Sequence, residues 1–257
     1  MTVRFVKMHG AGNDFVMIDD RVGELPRRKG ALVARIASRP DGIGCEGVIF
    51  VQESRRADFR MCFFNPDGSE AELCGNGARC VAAFARAIGA ARADKMVFET
   101  KAGKIAAEII DGQTVKIAMP MPKAVGGDFA NTGVPHAVVV VDDLNDCDVA
   151  GMGRKIRYSK RFAPAGTNVD FVRYDKPSRA FIRTYERGVE AETFACGTGS
   201  VAAAVVGVAA HGMKFPVTVE TCGGYKLTVD GTFVGGRFSD VTLAGPVKTV
   251  FQGSIDL

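Results

Sequence analysis

At 257 residues, with 47% hydrophobic and 24% charged side chains, the chain is long enough for one large domain or two of ordinary size around a real core. Its formal net charge of +4 is small and dispersed, which argues against a nucleic-acid partner and mildly suits an anionic substrate. The opening Met1–Lys7 has no apolar signal-peptide core and the longest apolar run, Val201–Ala210, is too short to cross a bilayer, so a soluble, cytoplasmic protein is expected.

In chain order, the first feature is a Gly-rich turn, Gly10-Ala11-Gly12-Asn13. It is not a dinucleotide fingerprint: the spacing is wrong, and no strand of adequate length is expected before it. Phe15–Ile18, running into Asp19-Asp20, reads as a strand entering a turn, and Arg28–Ala37 as a minor helix. Phe59–Asp67 is a strand pattern leading into the polar turn Asn65–Glu70. Ala78–Ile88 reads as a main helix stopped by Gly89. Lys104–Ile110, Asp111-Gly112 and Val115–Ala118 read as a hairpin. Val138–Val141 repeats the strand-to-Asp-Asp pattern, and Tyr185–Glu190 is a second polar turn. Ser200–Ala210 is a second main helix, stopped at Gly212 after His211. This helix is apolar on every face, so it belongs inside a curled sheet rather than on one.

Several of these segments are copies of one another. Gly10–Asp20 aligns with Gly133–Asp143, Gly44–Phe50 with Gly166–Val172, Phe59–Asp67 with Phe181–Val189, and Val115–Pro120 with Val241–Pro246. Matches in one order at a nearly constant offset indicate duplication. Two homologous α/β halves follow, residues 1–120 and 121–249, with a boundary near Pro120–Lys123. Val250–Leu257 has no counterpart and is expected to return and pair with the first half.

The chain has seven cysteines, an odd number with no CxxC pair, which argues against a disulfide framework and a structural zinc site. Cys45, Cys62, Cys80, Cys147 and Cys222 read as buried, inert small hydrophobes. The other two open the duplicated motifs Cys74-Gly75-Asn76-Gly77 and Cys196-Gly197-Thr198-Gly199, at a spacing of 196 − 74 = 122. A cysteine at a helix start sits in the positive end of the helix dipole, which is expected to lower its thiol pKa. The glycines let a ligand approach, and the free N–H groups of the first turn make a carboxylate site. One such copy is most simply a packed turn. Two aligned copies point instead to two thiols flanking one α-carbon, one removing a proton and the other returning it to the opposite face.

Asn65 and Arg187 share a repeat position and suit a second polar group of the substrate. Glu70, Glu190 and Glu192 read as solvated turn residues. His136 matches Asn13 in what reads as a Gly-rich turn, where a supporting site role and a structural one weigh equally; His9 and His211 read as structural.

These residues resemble the diaminopimelate epimerase family, and the resemblance covers nearly the whole chain. It is carried by Lys7–Phe15, by Asn65–Ser69 through Cys74–Cys80, and by Gly166-Thr167-Asn168, Tyr185–Gly188 and Ala195–Gly199. The resemblance implies two pseudo-symmetric halves, each a curled, mostly antiparallel sheet around a central helix, with the active site in the cleft between them. It implies interconversion of LL- and meso-2,6-diaminopimelate without pyridoxal phosphate or metal, Cys74 and Cys196 exchanging acid and base roles with direction. The cleft is expected to close on substrate, bringing the two thiols near enough to cross-link under oxidation. The family's α-carboxylate contacts carry over to the backbone at Gly75, Asn76, Gly197 and Thr198, and its distal-end contacts to Asn13, Asn65, Asn168, Glu186 and Arg187. A homodimer is also implied, and a place in lysine and peptidoglycan precursor synthesis.

The chain departs from the family pattern at Val134, where many members carry Asn, and at Gly47, where some carry Gln in a turn; each removes a polar contact to the distal end. Two other readings stand beside the first. One is a cofactor-independent racemase or epimerase of proline, hydroxyproline or histidine, against which Glu186, Arg187 and Asn168 count. The other is a thiol-based metal or redox sensor, against which the lack of CxxC counts.

Overall fold

The computed structural model describes Thr2–Asp256. The fold is mixed α/β, strand-rich with few helices, and divides into two compact units: residues 1–117 with 246–257, and residues 118–245.

Unit 1 runs β1 (Thr2–Gly10), β2 (Asn13–Asp19), α1 (Gly30–Ala37), β3 (Gly47–Gln52), β4 (Phe59–Phe64), β5 (Glu70–Ala71), α2 (Gly75–Ala87), β6 (Lys95–Thr100), β7 (Gly103–Ile109) and β8 (Thr114–Ala118). Most neighbours pair antiparallel, but β2 with β3 and β4 with β6 pair in parallel. Each parallel pair is joined by a helix, as a crossover requires. Strands β2 and β3 are apolar at successive positions because both faces are covered. Val16, Ile18, Val48 and Phe50 pack with Val33 and Ile36 of α1. Phe15 and Ile49, of opposite parity, meet α2 at Gly77.

Unit 2 runs β9 (Lys123–Gly126), β10 (Phe129–Asn131), β11 (Pro135–Val140), α3 (Val149–Arg157), β12 (Asn168–Asp175), β13 (Arg179–Glu186), β14 (Ala191–Thr193), α4 (Gly197–Ala210), β15 (Val217–Thr221), β16 (Lys226–Val234) and the start of β17 (Arg237–Asp256). Its parallel pairs are β11 with β12, crossing through α3, and β13 with β15, crossing through α4. The pairing scheme repeats, one residue out of step with the aligned segments: Phe15 pairs with Gly47, but Val138 pairs with Asp170 rather than with Val169, which the alignment sets over Gly47; Phe59 pairs with Phe98 and Phe181 with Glu220. Helix α4 touches β9 to β13, β15 and β16, so the sheet of this unit curls around it, and Ser200–Gly207 are all buried. The all-round apolar pattern of Val201–Ala210 has this cause.

The remainder of β17 belongs to unit 1, where Val247–Asp256 runs antiparallel to β1, Thr2 pairing with Asp256 and Gly10 with Val247.

Several local expectations are corrected. A strand of nine residues, β1, does lead into the Gly-rich turn, ending at Gly10. It leads not into a helix but into a tight hairpin, with Ala11 and Gly12 both at positive φ, so the segment is still no dinucleotide turn. The main helices begin three residues earlier than the apolar pattern alone places them, directly after Cys74 and Cys196. His136 lies on strand β11, of which Pro135 is the first residue, not in a turn. Gly47 likewise begins β3 rather than lying in a turn, and a Cβ there would sit 2.5 Å from the Phe63 ring. Among the five cysteines read as buried, Cys45, Cys62 and Cys80 are; Cys147 is half-buried and Cys222 is exposed. Cys222 opens the turn between β15 and β16, where its Sγ meets the Thr193 carbonyl at 3.2 Å.

Candidate active site

Each duplicated cysteine is the N-cap residue of its unit's central helix, in extended conformation, with φ −127° at Cys74 and −113° at Cys196. Their carbonyls accept the first helical hydrogen bonds, from Ala78 at 2.8 Å and Ser200 at 2.9 Å. The first-turn N–H groups of Gly75–Gly77 and Gly197–Gly199 have no acceptor within the helix. Each unit thus presents a thiol beside an anion-seeking helix end.

In unit 1, Cys74 is half-buried and its Sγ lies 3.5 Å from Asn13 Oδ1. The same oxygen accepts from Asn76 Nδ2 at 3.3 Å, while Asn13 Nδ2 donates to Glu46. Asn76 is held in turn by Arg79, whose Nη2 donates to Asn76 Oδ1 at 2.8 Å. Arg79 is fully buried, and its Nε has no hydrogen-bond partner. Burial lowers its pKa, and the ionisable groups bearing on it are the thiols Cys80 and Cys74 rather than a carboxylate. Cys80, one turn along the helix, is fully buried and pushed up to about 12 by desolvation, an inert thiol. Asn65 sits in the turn after β4, its Nδ2 donating to Ser69 Oγ at 3.0 Å.

In unit 2, Cys196 is buried. Burial, then Glu186, then Asp170 push its pKa well up, against the lowering effects of Thr198 and the Gly199 N–H. The expectation of a thiol acidified by its helix end is therefore corrected here: desolvation and two carboxylates outweigh the dipole, and the ligand-free Cys196 is a thiol. Its Sγ lies 3.4 Å from Thr198 Oγ1. Thr198 Oγ1 is 2.9 Å from His136 Nε2, and His136 Nδ1 is 2.7 Å from Asp170 Oδ2, with both side chains fully buried. Asp170 Oδ1 also accepts from Thr184 Oγ1 at 2.8 Å. Asn168 adjoins this row: its Oδ1 accepts the Arg187 N–H at 2.8 Å, and its Nδ2 donates to the Pro135 carbonyl at 3.1 Å. Glu186 accepts from Thr193 Oγ1 at 2.9 Å.

The structure thus gathers Asn13, Cys74 and Asn76 in unit 1, and His136, Asn168, Glu186, Arg187, Cys196 and Thr198 in unit 2. It adds Arg79, Asp170 and Thr184. Nothing in composition marks these three, although Asp170 at an otherwise apolar position of a two-faced strand is a signal that periodicity could have given. Glu190 and Glu192, read as solvated, instead pair with Arg157 at 3.0 Å and Arg183 at 2.8 Å.

The family model described as diaminopimelate epimerase matches residues 5–125 and 129–238. A protein named diaminopimelate epimerase from Methanocella arvoryzae is 40% identical, the match covering 99% of this chain and 97% of that protein. One of the same name from Aquifex aeolicus is 40% identical, with 98% of each covered. Among solved structures, a phenazine biosynthesis protein of the PhzF family from Bacillus anthracis shares the fold at a TM-score of 0.76 and 17% identity, covering 100% of both chains. A hydroxyproline epimerase from Agrobacterium vitis, solved with bound trans-4-hydroxy-L-proline, does so at 0.71 and 19%, covering 99% of this chain and 92% of that one.

Proposed function

From the premise that this chain belongs to the diaminopimelate epimerase family of isomerases, we propose that it interconverts LL- and meso-2,6-diaminopimelate by a two-base mechanism in which Cys74 and Cys196 exchange roles. The observation that carries this reading is the pair of duplicated cysteines, each capping a central helix whose first-turn N–H groups suit the substrate's α-carboxylate. An amino-acid α-proton is a very weak acid, and donors fixed on the carboxylate lower the cost of the carbanion. Backbone N–H groups of Gly75, Asn76, Gly197 and Thr198 supply them. Asn13, Asn65, Asn168, Glu186 and Arg187 recognise the distal amine and carboxylate. The chemistry needs no pyridoxal phosphate, and we propose that the enzyme works as a cytoplasmic homodimer in lysine and peptidoglycan precursor synthesis. A proline-type substrate has no polar distal group to use Asn168, Glu186 and Arg187, and the near relatives do not favour that alternative.

The test is NMR-detected exchange of the α-proton in D₂O with LL-diaminopimelate, under reducing conditions, for wild type, Cys74→Ser and Cys196→Ser. Deuterium uptake with inversion in wild type, lost at least about a hundredfold in each variant, is expected. Folded, reduced wild type that leaves this substrate unexchanged sinks the assignment.

A further inference from the structure

Among the described residues, the buried lysines and arginines are Lys7, Lys29 and Arg79. Lys7 meets Asp14, and Lys29 meets Asp20 at 2.8 Å on the side of the sheet where Phe50 packs with α1. Each of these two cations has its carboxylate, as buried charges require. Arg79 is buried deeper than either, and among the described residues no ion pair joins it to an acid. Its Nη2 and Nη1 face neutral oxygens, Asn76 Oδ1 at 2.8 Å and the Gly75 carbonyl at 3.5 Å, and its Nε meets no acceptor. The strand positions turned toward α2 bring no acid to it. By register these are Met8, Phe15, Met17, Ile49, Val51 and Met61, all buried and apolar. Packing alone does not call for a guanidinium here: the repeat position on α4 is Val201, which is equally buried.

Two groups that can carry negative charge bear on Arg79, the thiols of Cys80 and Cys74. Cys80, pushed up to about 12, does not ionise at neutral pH. Cys74 is half-buried and caps the helix, where the first-turn N–H groups have no helical acceptor. Asn13 Oδ1, which faces the thiol, also accepts from Asn76 Nδ2, so it keeps a donor when the thiol proton leaves. The neighbouring titratable groups do not favour a thiolate. Glu46, held to Asn13, and Glu72, two residues before Cys74, are exposed carboxylates, and His9 of β1 is held below its ordinary pKa by burial and then by Lys248. The guanidinium is left as the cation that suits it.

We propose that Arg79 is the fixed counter-charge of the Cys74 thiolate, a positioning residue that acts through the first turn of α2 and lets Cys74 give up its proton more readily than Cys196 does. The proton leaves to water, which reaches the half-buried sulfur. In unit 2 the charges run the other way, since Glu186 and Asp170 oppose ionisation of Cys196. The ligand-free enzyme then holds its thiolate in unit 1 and its thiol in unit 2.

This assignment rests on the two-thiol reading, and its test separates the two. In the full-length protein without substrate, iodoacetamide alkylation of Cys74 and Cys196 is followed by peptide mass spectrometry across pH, for wild type, Arg79→Met and Arg79→Lys. The pH profile of kcat/KM is recorded alongside. In wild type the Cys74 midpoint is expected below that of Cys196 and below the ordinary thiol value of about 8.5. In Arg79→Met it rises by about one pH unit, and the acid limb of kcat/KM rises with it. Lysine keeps the charge and loses the fork, so Arg79→Lys stays within about half a unit of wild type. A Cys74 midpoint in Arg79→Met equal to that of wild type overturns the assignment even if activity falls. Equal rises in the Met and Lys variants, or an equal rise at Cys196, overturn it in favour of a bracing role alone. A shifted Cys74 midpoint in a protein inactive on diaminopimelate keeps the counter-charge and sinks the substrate. Should Arg79→Met fail to fold, Arg79→Gln, equally uncharged, takes its place.

Discussion

Arg79 shows how a residue can matter to a site without facing it. Its guanidinium is wholly buried and donates to Asn76 Oδ1 and, at 3.5 Å, to the Gly75 carbonyl, so it braces the first turn that follows Cys74. A buried cation without a carboxylate costs desolvation, and replacing it by an apolar side chain of similar length is often neutral or stabilising. Arg79→Met is therefore expected to leave the thermal midpoint unchanged or raised while kcat/KM falls about tenfold, because Asn76 loses its anchor. Equal loss of stability and activity, read by calorimetry beside kinetics, contradicts this. At this scale the sequence was partly transparent. The duplicated cysteines stood out because two aligned copies are rarer than one. Arg79 and Asp170 did not, because a single polar residue within an apolar pattern does not reveal whether it is buried, and burial is what gives both their effect.

Helix α4 carries its information in small residues. Its buried face admits Asp170 only because Gly199 lacks a side chain, and Gly207 meets Tyr174 and Met213 in the same way, with a Cβ 2.8 Å from each. Gly199→Ala is expected to destabilise unit 2 by about 1–3 kcal/mol through overpacking and to displace Asp170 from His136. Urea unfolding and the pH dependence of epimerisation report the two effects separately, and an alanine variant with wild-type values in both shows that the carboxylate moves freely aside. The elements themselves were readable where periodicity was strong: both main helices, the minor helix and the β7–β8 hairpin lie where their patterns place them. The starts of the helices and of β11 were not, since Gly and Pro signal a break in the chain without saying on which side the next element begins.

At the scale of the whole molecule, the buried thiols set a limit on alkaline stability. Cys80, at about 12, and Cys196 both titrate above an ordinary thiol in the folded state. A raised folded pKa leaves stability intact below the unfolded thiol value and erodes it as pH climbs toward the folded one. Unfolding free energy is therefore expected to decline above about pH 8.5, by about 1 kcal/mol per pH unit for each such thiol. Cys80→Ala flattens that decline, and a variant with the wild-type slope argues that Cys80 ionises without cost. The mixed α/β class and the internal duplication were legible because an offset kept over many segments survives local divergence; the parallel pairs within each sheet were not, since strand direction leaves no mark on periodicity. The antiparallel ladder between β1 and the last part of β17 carries a consequence for synthesis. Residues 118–245 are contiguous and have every partner in hand as soon as they leave the ribosome. Strand β1 emerges before them, yet must wait for Val247 and beyond before this edge is paired. The half of the protein that is made first is the half that is finished last.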